Sequence, residues 1–228
     1  MEALRYSQGA THLTELAHML CPLCAYPSCQ PYWKDKQRSY VHCAQCQLVF
    51  VPPSEYLSAE QERAEYALHQ NHPDDLGYRR FLGRVFEPLN DCLPAASCGL
   101  DFGCGPGPTL SVMLEEAGHR VALYDPFFFP DLPWKHQQYD FITATEVVEH
   151  LHTPGIVLQQ LVSQLKPAGW LAIMTKRVAN REAFITWHYK NDPTHVCFFH
   201  DDSFHWVANH LHLRLEFYGN DVVLLQRG

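Results

Sequence analysis

The chain has 228 residues, 46% hydrophobic and 18% charged, a balance that excludes wholesale disorder and fibrous repeats and supports a buried core. Its formal charge is -8, and no basic block rises above a local group at Arg79, Arg80 and Arg84, which weighs against a nucleic-acid partner because that affinity depends on counterion release by basic side chains. No run of about 18 apolar residues and no secretory leader pattern is present, so the expectation is a cytoplasmic protein with no membrane partner.

Taken along the chain, the first feature is CPLCAYPSCQPYWKDKQRSYVHCAQCQLVFV over residues 21–51, where Cys21, Cys24, Cys43 and Cys46 form C-x2-C-x18-C-x2-C. Each C-x2-C pair lets a tight knuckle aim two thiolates at one tetrahedral ion, and the interval between pairs suits a zinc ribbon. Four thiolates leave no open coordination position, so the expected Zn2+ is structural. A unit this small has no core of its own, and metal binding worth about 10 to 16 kcal/mol would supply its fold. Cys29 falls outside the pattern as a spare thiol.

After Val51-Pro52-Pro53 the composition predicts a helix with Ser54 as its N-cap, ending near Asn71-His72-Pro73. A second helix is expected from 75 to about 90, with Tyr78, Phe81, Leu82, Val85 and Phe86 on one face. From residue 97 strands and helices alternate. Strands are expected in CGLDF, HRVALYD, YDFITA and WLAIMTK, helices over 109–117 and 154–165, and a turn at Pro167-Ala168-Gly169. The last stretch, RLEFYGNDVVLLQR, reads as an antiparallel hairpin. The fold class is therefore α/β, a Rossmann-like doubly wound sheet with a terminal antiparallel strand pair, plus a small N-terminal zinc ribbon.

Between the first strand of that sheet and its helix lies LDFGCGPGP, residues 100–108. Glycines there let a ligand approach the backbone and an anionic group meet the helix N-terminus. The dinucleotide spacing G-x-G-x-x-G fails, because Gly103 and Gly105 are followed by Pro108 where the third glycine should stand. What is present is D-x-G-x-G-x-G at Asp101, Gly103, Gly105 and Gly107, with Asp125 in ALYDP 22 residues past Gly103. This pattern resembles the first motif of class I S-adenosylmethionine-dependent methyltransferases and the acid ending their second strand. TATEVVEHL, residues 143–151, resembles the end of their fourth strand, and WHYKNDPTHVCFF, residues 187–199, the loop that precedes their terminal antiparallel pair.

The resemblance spans about residues 64–228 and implies S-adenosylmethionine as cofactor. It implies that Asp101 and the glycine turn hold the methionine end of the cofactor, that Asp125 meets the ribose hydroxyls, and that Thr145 and Glu146 lie near it. Tyr66, His69 and Tyr78 are expected to fold over it as a lid. The chain departs from the family where FFFPDLPWKHQQ replaces a full helix and third strand, leaving Asp131 as the candidate beside the adenine. The domain reading is a zinc-ribbon-like four-cysteine module over 1–53, a helical linker or lid over 54–96, and the methyltransferase domain over 97–228.

Methyl transfer from a sulfonium is an in-line displacement in which alignment supplies about 7 to 11 kcal/mol, and a base is needed only if the acceptor must lose a proton. His150 and His195 are the candidates to touch substrate, with Trp187, His188 and Tyr189 as walls of the acceptor site. His195, His200 and His205 share no strand or helix period, so they predict no second metal. The expected acceptor is the oxygen, nitrogen or sulfur of a small molecule. Two alternatives are an RNA methyltransferase that uses the ribbon to hold RNA, and a cofactor-fold binding module without activity, which the intact Asp101, glycine and Asp125 set disfavours.

Overall fold

The protein is described by a computed structural model covering residues 19–68, 72–131 and 133–228. The expected strands form a six-stranded sheet: β4 (Cys98–Phe102), β5 (Arg120–Tyr124), β6 (Tyr139–Thr145), β7 (Leu165–Met174), β9 (Leu213–Tyr218) and β10 (Val222–Arg227). Their order is β5-β4-β6-β7-β10-β9. The first four run parallel, while β10 pairs antiparallel with both β7 and β9.

Period-two alternation divides the sheet's side chains between two cores. Trp170, Ala172 and Met174 of β7 and Val222 and Leu224 of β10 face α2 (Leu76–Cys92) and α3 (Thr109–Glu116). Leu171, Ile173, Val223 and Leu225 face the opposite core, under α4 (Pro154–Ser163) and α6 (Asp201–Leu211). Helices on both faces of a mostly parallel sheet make this the doubly wound, Rossmann-like fold that the alternation predicted.

Two local expectations are corrected. The linker helix, α1 (Ala59–Tyr66), is capped by Ser58, whose hydroxyl accepts from the Gln61 amide at 3.3 Å while the Gln61 side chain accepts from the Ser58 amide at 2.9 Å. Ser54 lies in a 3-10 turn over Pro53–Glu55 instead; it lacks the partner three residues on that completes a capping box. Pro167-Ala168-Gly169 does not precede β7 but bulges within it, since Leu165 faces Tyr139 and Trp170 faces Phe141. Residues on either side hold the ladder while the bulge loops out, with Ala168 at φ 60°. WKH and the preceding proline form a 3-10 turn that places Trp134 on Phe102 and Tyr124, at 5.4 and 5.1 Å between ring centroids. One buried indole thus packs by the edge strand β5 in a stretch too short for a helix and strand.

The cysteine segment forms β1 (Cys29–Lys34), β2 (Ser39–Cys43) and β3 (Val49–Phe50), in a second sheet of order β1-β2-β3-β8. Its last strand, β8 (Cys197–Phe198), comes from the far end of the chain and pairs antiparallel with β3. Tyr40 packs edge-on against Phe184 of α5 (Arg181–Thr186) and against Phe198. On the other side, a Cβ at Gly155 would lie 2.1 Å from the Leu23 carbonyl oxygen, so glycine at the start of α4 is what admits the first cysteine knuckle. Among the described residues, no helix is long and apolar enough to cross a membrane.

Candidate active site

At the carboxyl ends of β4, β5 and β6 the sheet opens into a cleft of about 640 Å³, where a doubly wound sheet binds its ligands. Asp101, Gly103, Gly105, Gly107, Asp125, Thr145, Glu146, Tyr66, Tyr78, His150 and His195 all line it. His69 lies outside the described residues. Asp131 and the expected acceptor walls Trp187, His188 and Tyr189 do not line the cleft. Tyr189 is buried beneath it, Trp187 packs on Tyr189 and Phe198, and His188 is exposed with its Nε2 3.1 Å from Lys176 Nζ.

The glycine turn is shaped by contacts that sequence spacing only hints at. Gly103 adopts φ 74°, and a Cβ there would meet Val147 Cγ2 at 2.5 Å, so the position is closed to every other residue on two counts. Its amide and that of Cys104 both donate to the Tyr124 carbonyl, tying the turn to the end of β5. Gly105, at φ 64°, has open space where its Cβ would point. Asp101 is 4% exposed; its carboxylate accepts from the Ser111 hydroxyl at 2.7 Å and the Thr143 hydroxyl at 2.8 Å, joining β4, β6 and α3. Burial raises its pKa, and those two hydroxyls oppose the rise.

Asp125 accepts from three backbone amides, Gly105 at 3.0 Å, Phe127 at 2.9 Å and Phe128 at 3.1 Å. It therefore organises both loops around the cleft as well as facing into it. The Thr145 hydroxyl is buried with no hydrogen-bond partner, the kind of polar atom a ligand in the cleft would satisfy. Tyr66 packs between Phe127 and His150, at 5.6 and 5.3 Å, and Tyr78 stacks on Phe81.

Beside the glycine turn lies a compact ionisable cluster that follows β6. Glu146 has φ 53°, a left-handed conformation that costs a non-glycine residue about 1 kcal/mol or more, and its amide donates to the Met174 carbonyl at 2.7 Å. The rings of His150 and His195 meet edge to face at 4.6 Å. Each donates its Nδ1 proton to a backbone carbonyl, His150 to Thr194 at 3.2 Å and His195 to Tyr189 at 2.7 Å. The Tyr189 hydroxyl donates to Glu149 Oε1 and lies 3.4 Å from Glu146 Oε2.

Glu149 was not among the expected site residues, although it stands directly before His150 in TEVVEHL. It is 0% exposed, and its Oε2 has no hydrogen-bond partner. Burial, with Glu149 next, pushes Glu146 up to about 8, and burial pushes Glu149 up to about 7. Burial, then the neighbouring His150, lowers His195 to about 4. Sequence adjacency was the only signal for Glu149, because a glutamate in a 3-10 turn reads as a surface residue.

A protein-family comparison matches residues 71–216, well over half of the chain, to a family described as methyltransferase domain. The chain belongs to that family of methyltransferases. Solved structures similar to this methyltransferase include CalO1, a methyltransferase in calicheamicin biosynthesis in its SAH-bound form, at 12% identity and TM-score 0.49, covering 66% of this chain and 54% of that one. Burkholderia thailandensis 1,6-didemethyltoxoflavin-N1-methyltransferase, with bound 1,6-didemethyltoxoflavin and S-adenosylhomocysteine, matches at 17% identity and TM-score 0.48, covering 86% and 97%. The mitomycin 7-O-methyltransferase MmcR matches at 12% identity and TM-score 0.48, covering 75% and 67%. No curated protein sequence matches.

Two features of this methyltransferase lie outside the cleft. The four cysteine sulfurs of Cys21, Cys24, Cys43 and Cys46 lie within 4.8 Å of one another, with Cys21–Cys46 and Cys24–Cys43 both at 3.5 Å. A tetrahedral ion with metal–sulfur bonds of about 2.3 Å sets its sulfurs about 3.8 Å apart, so the donor set fits zinc. The knuckles are built alike: Ala25 and Gln47, each following the second cysteine, take φ 57° and 59° and donate to the carbonyls of Cys21 and Cys43.

The second feature is Arg38, 7% exposed, between β1 and β2. Its guanidinium donates to the carbonyls of Lys190, Asp192 (2.8 Å), Pro193 (3.0 Å) and His195 (2.9 Å). Beside it, Asp35 pairs with the buried Lys190 ammonium at 2.8 Å. The cysteine module thus grips the loop that carries His195.

Proposed function

We propose that the protein transfers the methyl group of S-adenosylmethionine to an oxygen, nitrogen or sulfur nucleophile of a small molecule. The observation carrying this reading is the cleft that the glycine turn, Asp125, His150 and His195 line together. Bound S-adenosylmethionine supplies an activated methyl on a sulfonium. Gly103 and Gly105 clear the space for its amino-acid end, Asp101 supports that turn from below, and Asp125 meets the ribose. Thr145 and Glu146 lie alongside, and Tyr66 and Tyr78 cover it. His150 and His195 face the acceptor, and burial keeps His195 neutral at pH 7, with a lone pair on Nε2.

A volume of about 640 Å³ suits small ligands and matches the size of ordinary ligand pockets. RNA fits less well: Arg79 and Arg84 are paired with Glu116 and Asp221, and the chain carries -8 overall. The domain reading is kept as part of the proposal, with a zinc-holding module over 1–53, a linker or lid over 54–96 and the catalytic domain over 97–228. None of the nine cysteines is in a disulfide, which suits a reducing, cytoplasmic setting.

Calorimetric titration with S-adenosylmethionine tests the cofactor: one saturable site per chain is expected, and no heat with no saturation refutes the reading. Methyl-labelled donor, incubated with metabolite and RNA fractions, should place label in the metabolites. Label in RNA would replace the small-molecule acceptor by RNA.

A further inference from the structure

Glu149, His150 and His195 each present a ligand atom within 4.8 Å of the others, and the two histidines line the cleft. Two independent details suit this trio to a cation. Both imidazoles donate Nδ1–H to backbone carbonyls, which leaves the lone pair of each on Nε2 and holds the ring in place, the arrangement that supports histidine as a metal ligand. Glu149 is wholly buried, yet its Oε2 has no partner while Oε1 is held by Tyr189. A buried carboxylate oxygen with nothing to accept from is costly unless a ligand or ion meets it. Two histidines and one carboxylate on one side of an ion are the donor set of divalent first-row metals that keep open positions.

We infer that Glu149, His150 and His195 hold a divalent first-row cation, distinct from the cysteine site, whose open positions face the cleft. This rests on the methyl-transfer reading above and narrows it: the acceptor carries a hydroxyl. The cation takes that hydroxyl in an open position and lowers its pKa, and the proton goes to water in the cleft. The oxygen's electron pair then forms the bond to the methyl carbon as the carbon–sulfur bond breaks, and the sulfonium departs as a neutral thioether. Proton, methyl and charge all balance without a further reactant. Asp192 Oδ2, 3.8 Å from His195 Nε2, adds negative charge beside the site.

Mn2+ is the probe, because thiolate sites prefer zinc and the cysteine ion stays in place. Full-length protein with its zinc quantified is titrated with Mn2+ while free Mn2+ is followed by electron paramagnetic resonance and solvent-proton relaxation by NMR. One Mn2+ per chain with enhanced water relaxation is expected, the enhancement reporting water in the open positions. His150→Ala and His195→Ala should each weaken Mn2+ binding by about 100-fold or more while zinc content and the far-UV spectrum stay native. Because Glu149 is buried and Glu149→Gln risks misfolding, the half-exposed His150 carries the test. Unchanged Mn2+ affinity in His150→Ala, no Mn2+ bound by the wild type, or binding without relaxation enhancement would each overturn the proposal. Parallel titration with S-adenosylmethionine separates the two readings: cofactor binding without Mn2+ sinks the metal site alone, and Mn2+ binding without cofactor sinks the methyl-transfer reading alone.

Discussion

Arg38→Met keeps the hydrophobic stem of the side chain and deletes the donors that serve the carbonyls of Lys190, Asp192, Pro193 and His195. Each hydrogen bond from a charged donor is worth about 1.5 to 3 kcal/mol, and each carbonyl left dry costs about 1 to 3 kcal/mol. The four are not additive. Asp192 is 40% exposed at its side chain, so water reaches part of the loop, whereas His195 and Lys190 are almost fully buried. About 4 kcal/mol is therefore expected, in line with removing one partner of a buried charged network. For a chain of this size that lowers Tm by roughly 8 to 16 °C.

The location of the damage is the sharper test. Amide hydrogen exchange across residues 190–196 should accelerate, while S-adenosylmethionine affinity changes little because Asp125 and the glycine turn make no contact with Arg38. Arg38→Lys should recover only part of the stability, since one ammonium cannot reproduce a planar fork aimed at four carbonyls. A melting temperature within about 1 °C of wild type, or an exchange increase spread evenly over the chain, would refute the idea that this guanidinium organises the His195 loop.

Asp125→Asn should weaken S-adenosylmethionine binding in calorimetry and also lower Tm by several degrees, because the Asp125 carboxylate serves three backbone amides. Cys43→Ser should release zinc, measured by a chelating dye. Since β3 pairs with β8 and the module shares a core with the α/β sheet, differential scanning calorimetry should show one lowered transition rather than an intact second one. Burial pushes the Asp35 carboxyl up, but hydrogen bonds from Lys190 and two backbone amides outweigh it and hold its pKa well below the ordinary 3.8. A depressed pKa means that the contribution is complete above the unfolded value and is lost as pH falls through the folded one. The Tm gap between wild type and Asp35→Asn should therefore be widest near neutrality, reflect about 2 kcal/mol, and close as pH drops below about 4.

Reading the chain alone located the cleft because its makers are local. A carboxylate ahead of alternating glycines, an acid at the next strand end and the TEVVEHL run each carry their meaning within a few residues, and all of their expected side chains in the described residues line one pocket. Glu149 shows where that legibility stops. Nothing in TEVVEHL separates its glutamates until the 3-10 turn at Val148–His150 points one wholly inward. Trp187, His188 and Tyr189 were misplaced for the same reason: aromatic composition suggests a wall, but only packing decides that Tyr189 lies beneath the cleft and His188 in solvent.

What sequence determined on its own was therefore periodic or evenly spaced: strands and helices in alternation, the glycine turn, and two cysteine pairs at knuckle spacing. Their geometry follows from backbone sterics and repeat length, which act over a handful of residues. Tertiary structure alone decided that β8 completes the cysteine sheet, that Arg38 grips carbonyls more than 150 positions away, and that two imidazoles and a buried carboxylate converge. Such pairings arise when two separately formed surfaces meet and exclude water. Their partners are chosen by shape and by the cost of leaving a polar group dry, quantities that belong to no single stretch of chain.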